Sequence, residues 1–351
     1  MDKIKRFEGL EFLRFLLAVG VCYAHLVPTL AMNFSDINFQ TQILQSAHAV
    51  LAVPAFFIIS GFFLSIKGEL FDFVCKKIIR LWPVLAFSIL IKISSGYDFL
   101  GLLFINDGLG LINKANSNAA IWYVCVLFWG LICFYLFLKH TEEKKQILPL
   151  ILVSYFSLFL VCQWGQNSYN EVLIKIITFG VAWGVFGISF GILLRKVWSI
   201  ISKIFENIKH EKLIFTLLET VLTAAFIYIS AFYKGFLHPT CYILLLTVLF
   251  YVILLQKGYV SNAFGKINIL GKYSYAIYLM QSPCFYYMRK YLWYNLNGYN
   301  KYSIILISLA IIVLCGIGVY YLIEVPFGKL FKKLYEKIKL RLENVNNSGE
   351  L

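Results

Sequence analysis

Long apolar runs alternate with short polar or charged connectors along nearly the whole chain. A helix needs about 20 mostly apolar residues to cross the hydrocarbon core of a bilayer, and most of the runs approach that length. The pattern predicts ten spans near residues 10–30, 48–66, 82–97, 119–138, 147–163, 172–194, 213–232, 240–256, 268–288 and 302–323. We therefore expect an all-α, polytopic membrane bundle of about ten transmembrane helices.

The basic residues give this arrangement a direction. Most of the 32 lysines and arginines fall in connectors on one side of the ten spans, the side that also holds the N-terminus. Short loops that remain in the cytoplasm retain Lys and Arg. The asymmetry predicts that both termini are cytoplasmic, with a single transmembrane domain over residues 1–338 and a short polar tail over 339–351.

Composition excludes a soluble enzyme. The chain has 351 residues, of which 60% are hydrophobic and 14% charged, and its mean hydropathy is +0.76. The net charge of +14 is expected to face membrane lipid and anions, because no nucleic-acid-binding motif accompanies it. The eight cysteines are scattered singly, so we expect neither a metal site nor a disulfide framework. The first run lacks a cleavage signature and is interpreted as a retained span.

Two ionisable residues, which are costly to bury in a membrane, share the first predicted helix. Arg14 and His25 are eleven residues apart, which returns them to nearly the same face at about 16 Å along the axis. Ionisable groups inside a membrane segment often mark a functional path. His25 is a candidate general base, although a histidine in a span can also simply bond a neighbouring helix. Glu11 can pair with Arg14 and lower the cost of burying it.

Two further segments carry candidate chemistry. In FFIISGFF, Ser60 lies beside a glycine, which favours close helix packing over a nucleophilic serine. In KKIIRLWP, Lys77 and Arg80 share a helical face with Lys76 nearby, so two cations can meet one phosphate group. Anchoring by positive charge on the inner side is the simpler explanation of the same lysines.

Other residues are ambiguous between structure and function. Trp122 and Tyr123 in the fourth span, and Tyr275 and Tyr278 in the ninth, are either interface anchors or contacts for an acceptor substrate. Glycines at spacings of three and four in the sixth span indicate helix packing. We interpret Glu324, at the end of the last span, as structural.

The ordered set of segments resembles the acyltransferase-3 family of bacterial integral-membrane O-acyltransferases, which modify cell-envelope and exported carbohydrates. The segments are LEFLRFLLAVGVCYAH, FFIISGFF, KKIIRLWP, IWYVCVLFW, LGKYSYAIYLMQSP and IEVPF, from the first span to the last. The Arg of the first segment is followed by ten residues and His, which matches the essential Arg and His of the family. Lys77 and Arg80 match its basic pair.

The resemblance implies an enzyme of the bacterial cytoplasmic (inner) membrane that needs no bound cofactor and uses acyl-CoA as co-substrate. The donor would reach Arg14, Lys76, Lys77 and Arg80 from the cytoplasm, and acetyl is the default acyl group. The acceptor would be a hydroxyl of lipopolysaccharide, capsule or another glycan. His25 would act either as general base or as a transient acyl carrier.

This chain departs from the family at three places. Lys77 stands where Arg is frequent and lacks the bidentate guanidinium. The segment IWYVCVLFW has no acidic residue, and Gln281 stands where many members have His. The alternative function is a transporter or flippase for a lipid-linked glycan, which would also combine many spans with intramembrane charges.

Overall fold

The computed structural model describes residues 8–34, 52–93, 96–110, 118–164, 172–174, 177–206, 208, 210–231, 239–296 and 300–348. These residues form α1 (Glu8–Phe34), α2 (Ala52–Phe62), α3 (Leu70–Leu90), α4 (Ile121–His140), α5 (Glu143–Trp164), α6 (Phe179–Ile204), α7 (Glu211–Ala231), α8 (Pro239–Leu255), α9 (Tyr259–Lys266), α10 (Ser274–Tyr291), α11 (Lys301–Val319) and α12 (Val325–Ser348). A short antiparallel pair, β1 (Val172–Ile174) and β2 (Ile177–Thr178), precedes α6.

Four 3-10 segments and one π turn complete the described chain. The 3-10 segments are Gly96–Leu103, Asp107–Leu109, Asn268–Tyr273 and Trp293–Leu296. The π turn, Tyr320–Glu324, joins α11 to α12. Helix α12 continues to Ser348, through the segment expected to be a polar tail.

The structure confirms an all-α membrane bundle. Among the residues that the structure describes, six helices are long and apolar enough to cross a bilayer: Gly9–Ala31, Ile121–His140, Glu143–Gln163, Phe179–Ile204, Glu211–Ile229 and Lys301–Arg341. The pair Thr240–Leu255 and Tyr259–Lys266, which is bent by 76°, would make a seventh. Ten spans and two cytoplasmic termini remain predictions.

Several helix boundaries differ from the predicted spans. Helix α3 begins at Leu70, a full three turns before the predicted residue 82, because the lysines and arginine before the apolar run are themselves good helix formers. Helix α6 begins only at Phe179, since the Thr178 side chain accepts a hydrogen bond from the Val181 backbone N–H at 3.1 Å and caps the helix there. Helix α2 covers 11 residues.

Glycines let α2 and α6 pack closely. A Cβ atom on Gly61 would lie 2.2 Å from the Ile188 carbonyl oxygen, and one on Gly191 would lie 2.1 Å from the Ile58 carbonyl oxygen. Neither position has room for a side chain. The small residues of the sixth predicted span therefore serve helix packing, as expected.

The bend between α8 and α9 is held by a buried carboxylate on α7. Glu219 is 0% exposed. Its oxygens accept hydrogen bonds from the backbone N–H groups of Gly258 at 3.1 Å and Ser261 at 2.9 Å, and from the Ser261 hydroxyl at 2.5 Å. A negative charge at the start of α9 satisfies amides that have no partner within the helix. No sequence pattern around Glu219 predicted this role.

Helices α1, α3 and α10 run in the same direction. Gly271, just before α10, packs on the Glu11 backbone, and the Cys22 thiol lies 3.9 Å from the Ile277 carbonyl oxygen, so α1 runs parallel to α10. The hydroxyls of Tyr275 and Tyr287 donate to the carbonyl oxygens of Leu81 at 2.6 Å and Ile91 at 2.9 Å, which sets α10 against α3. The three helices consequently share one end, called here the basic end because Arg14, Lys77 and Arg80 lie toward it, and one opposite end, called the far end.

Candidate active site

A cavity of about 80 Å³ opens among α1, α2, α3, α4 and α10. Its lining brings together residues that are far apart in sequence but were predicted to act at one site: Arg14, Ser60, Lys77, Arg80, Tyr275 and Tyr278. Tyr123, Ser274 and several apolar side chains complete the lining. The structure thus joins the first, second, third and ninth predicted spans at a single place.

Positive charge dominates this cavity. Arg14, Lys77 and Arg80 lie close enough to repel one another electrostatically. Glu11, which is 42% exposed, lies 3.3 Å from the Arg14 guanidinium and compensates it only in part. The Nε of Arg14 is buried and has no hydrogen-bond partner in the described chain. Like charges in a poorly solvated site are costly, so the arrangement favours an anionic ligand.

The walls of the cavity are aromatic and fixed by hydrogen bonds. The Tyr123 ring lies 4.6 Å from the Phe57 ring and 5.2 Å from the Tyr278 ring, measured between centroids. The Tyr123 hydroxyl is hydrogen bonded to Ser60. The Tyr275 hydroxyl is held by the Leu81 carbonyl oxygen. These contacts give the cavity a set shape with hydroxyl groups near the cations.

His25 lies outside the lining of the cavity. It is on α1, as predicted, about 16 Å beyond Arg14 toward the far end. The residue has exposed surface, although protein atoms surround most of its imidazole. Cys22 on α1 lies opposite Ile277 on α10. Tyr278, which lines the cavity at its limit toward the far end, is therefore within one helical turn of the level of His25. The cavity therefore extends from the cations toward the histidine without reaching it.

Two other predicted residues lie beside the cavity. Lys76 is exposed on α3 and does not line it. Trp122 packs its ring 6.1 Å from that of Phe57, and it is the neighbouring Tyr123 that lines the cavity. Only the rotation of α4 against α2 decides which of the two aromatic residues faces inward, so the sequence pattern could not separate them.

Glu324 lies closer to the site than its interpretation as a structural residue implied. One of its carboxylate oxygens, Oε2, is buried without a hydrogen-bond partner in the described chain. Electrostatic interactions link Glu324 to Arg80 and Tyr275, which both line the cavity. Glu324 ends the π turn, and single π turns are frequent at functional sites. The signal available in the sequence was a glutamate followed two residues later by a proline, in the segment IEVPF.

The π turn is secured by a cluster around Lys272. The Lys272 ammonium lies 5.0 Å from the ring centroid of Tyr273 and 5.3 Å from those of Tyr320 and Tyr321. The hydroxyls of Tyr273 and Tyr321 are 2.9 Å apart. Cation–π contacts of this kind fix the turn that carries Glu324.

Helix α12 is clamped to the first turn of α3. The Tyr335 hydroxyl donates to one oxygen of Asp72 at 2.5 Å, and the Lys339 ammonium donates to the other at 3.1 Å. These two hydrogen bonds lower the pKa of Asp72 below its ordinary value. The clamp holds the basic half of α3 in place.

One of three comparisons with known proteins gives a match. A family model described as "Acyltransferase domain" matches residues 7–323, from α1 through most of the π turn. Searches of the curated proteins and of the solved structures give no significant match. The match covers most of the chain and includes every residue that lines the cavity. This chain therefore belongs to the acyltransferase-3 family and is a membrane acyltransferase.

Proposed function

We propose that this protein transfers an acyl group, acetyl by default, from acyl-CoA to a hydroxyl of a cell-envelope or exported glycan. The observation that carries the proposal is the cationic cavity at the basic end. The positive-inside pattern supports a cytoplasmic position for that end, where acyl-CoA is available. The protein would then be a multi-pass enzyme of the inner membrane.

The chemistry of the cavity suits the donor. Acyl-CoA carries phosphate groups at one end and a thioester at the end of a long flexible arm. Arg14, Lys77 and Arg80 offer charge-assisted hydrogen bonds to phosphate, and Arg14 has a donor, Nε, that is still unmatched. The Ser60 and Tyr123 hydroxyls can meet the amide groups of the arm.

The direction of the cavity suits the transfer. A donor held by its phosphates at the basic end extends along α1 and α10 toward the level of His25. An acceptor approaching from the far end meets the exposed side of the imidazole. Donor and acceptor can therefore react without CoA crossing the membrane.

We assign His25 as the general base. It takes the proton of the acceptor hydroxyl while the hydroxyl oxygen attacks the thioester carbonyl. The C–S bond of the tetrahedral intermediate then breaks, and the imidazolium returns the proton to the CoA thiolate. The products are an ester of the glycan and CoA with a free thiol, so atoms and charge balance.

The proposal is tested with the purified protein in nanodiscs, radiolabelled acetyl-CoA and a glycan fraction from the envelope of cells that lack the gene. The wild-type protein should transfer label to glycan, and His25→Ala should reduce transfer at least about a hundredfold. His140→Ala, which changes an exposed histidine at the end of α4, is the matched control and should keep full transfer.

The donor half is tested by acetyl-CoA binding. Lys77→Gln and Arg80→Gln should each weaken binding about tenfold, the loss expected for one charge-assisted phosphate contact. Lys145→Gln, on the exposed start of α5, should not change it. Equal transfer by His25→Ala would overturn the assignment of His25 as general base. Movement of lipid-linked glycan across liposomes without any transfer of label would overturn the proposal in favour of a transporter.

A further inference from the structure

Four exposed tyrosines cluster at the far end of α10 and in the 3-10 turn that follows it. The exposed fractions are 47% for Tyr286, 41% for Tyr287, 60% for Tyr291 and 85% for Tyr294. We call this group the tyrosine surface. It lies at the opposite end of α10 from Tyr275 and Tyr278, which line the cavity.

The rings of the tyrosine surface are ordered by contacts with one another and with α3. Tyr287 and Tyr291 stack with ring centroids 6.3 Å apart and an interplanar angle of 8°. Tyr286 meets Tyr287 edge to face at 5.1 Å. The Tyr287 hydroxyl is anchored on the Ile91 carbonyl oxygen. Rigid aromatic groups that stay exposed lose little conformational entropy when they bind a ligand.

Positive charges flank these rings. The Lys92 ammonium lies 5.9 Å from the Tyr286 ring centroid and donates to the Ser282 hydroxyl at 2.9 Å. The Lys290 ammonium lies 5.0 Å from the Tyr291 ring centroid, and Arg289 is exposed beside it. Cations on this side oppose the charge asymmetry that orients the chain in the membrane, so their concentration at one place requires another reason.

The tyrosine surface is near the level of His25. His25 is three residues past Cys22 on α1, and Tyr286 is nine residues past Ile277 on α10, which runs parallel to α1. The difference of six residues corresponds to about 9 Å along the helix axis. A short oligosaccharide can span that distance.

We propose that the tyrosine surface docks the acceptor as an acidic glycan chain, with sugar rings packed on Tyr286, Tyr287 and Tyr291 and carboxylate or phosphate groups paired with Arg289 and Lys290. This inference rests on the proposed function and gives its acceptor a chemical class. Anchoring in the membrane interface explains single exposed tyrosines. It does not explain a stacked cluster flanked by cations on the side where cations are disfavoured.

The test is binding of fluorescently labelled hexagalacturonate, an acidic sugar chain, to the full-length protein in phosphatidylcholine nanodiscs without donor. Tyr286→Leu and Arg289→Gln should each weaken binding about tenfold, as expected for the loss of an aromatic or arginine anchor. Tyr286→Trp should retain binding, because it keeps the aromatic platform, and it serves as the folding control for the leucine variant. Tyr228→Ala removes a tyrosine of comparable exposure from α7, 57% against 47% for Tyr286, and should leave binding unchanged.

Because no acyl-CoA is present, this result does not depend on whether the donor half of the proposed function holds. Failure of the wild-type protein to bind hexagalacturonate would overturn the proposal. Binding of neutral maltohexaose with equal affinity would overturn the assignment of an acidic chain. An equal loss in Tyr228→Ala and Tyr286→Leu would show a general effect of interface tyrosines and would also overturn it.

Discussion

Two glutamates in different parts of this bundle, the buried Glu219 and the half-buried Glu324, have opposite surroundings. Both oxygens of Glu219 accept hydrogen bonds from the start of α9, and none of its side chain is exposed. Glu324 keeps one oxygen without a partner in the described chain and lies near the cations of the cavity. A carboxylate whose two oxygens both accept hydrogen bonds stabilises a bend. A carboxylate that keeps one oxygen unpaired beside cations leaves room for a ligand to complete the site.

The largest expected effect is a loss of stability at Glu219, whose two carboxylate oxygens are both hydrogen bonded. Glu219→Ala would leave the backbone N–H groups of Gly258 and Ser261 without an acceptor in a water-poor interior. We expect a loss of about 3 kcal/mol in the free energy of unfolding. Thermal unfolding in detergent measures it. Glu211→Gln, on the same helix but with a side chain that is 45% exposed, should cost much less. An unchanged melting temperature in Glu219→Ala would contradict the stabilising role assigned to Glu219 and with it the difference from Glu324.

The second effect concerns the cavity. Arg14→Gln removes the central cation, and we expect acyl transfer to fall about a hundredfold, equivalent to about 2.7 kcal/mol of transition-state stabilisation. The melting temperature should stay the same or rise, because like charges repel in the ligand-free site. Radiolabel transfer and thermal unfolding of the same preparation measure the two quantities. A parallel loss of stability and activity would mean that Arg14 is structural.

The third effect sharpens the comparison at Glu324. Glu324→Gln removes an ionisable carboxyl group that offsets the charge of Arg80, so we expect the KM for acyl-CoA to fall about threefold and the free energy of unfolding to change by less than about 0.5 kcal/mol. Steady-state kinetics and thermal unfolding check this. Glu336→Gln, on exposed α12, is the matched control and should change neither value. A stability loss as large as that of Glu219→Ala would contradict the conclusion that the carboxylate of Glu324 is not needed to hold the fold together.

The smallest effect is expected at the clamp between α3 and α12. Asp72→Asn weakens the hydrogen bonds with Tyr335 and Lys339, so the melting temperature at pH 7 should fall slightly. The pKa of Asp72 is lowered in the folded protein, so its stabilisation is complete above the ordinary carboxyl value of about 4 and is lost as the pH falls through the lowered value. The difference between wild type and variant should therefore be constant from pH 5 to 8 and vanish in stronger acid. A difference that varied between pH 5 and 8 would contradict this assignment.

Part of the site could be predicted from the sequence, because charged residues are costly in or beside apolar segments and therefore stand out. Arg14 in an apolar run and the basic pair Lys77 and Arg80 at the edge of another stand out against their neighbours, and both sets line the cavity. Glu219 escaped notice because the sequence does not show which backbone amides come to face it. Its partners lie some forty residues further along the chain, in the bend between α8 and α9.

The sequence by itself determined the class of protein, its family and the cations of the cavity. Hydrophobicity, charge and motif order are properties of single residues and of their spacing, so they need no tertiary contacts to be visible. Only the tertiary structure decided that Tyr123 and not Trp122 lines the cavity, that Glu324 faces Arg80, and that His25 lies beyond the cavity wall. Those outcomes depend on how each helix rotates and slides against its neighbours, which is set by side-chain packing between segments remote in sequence.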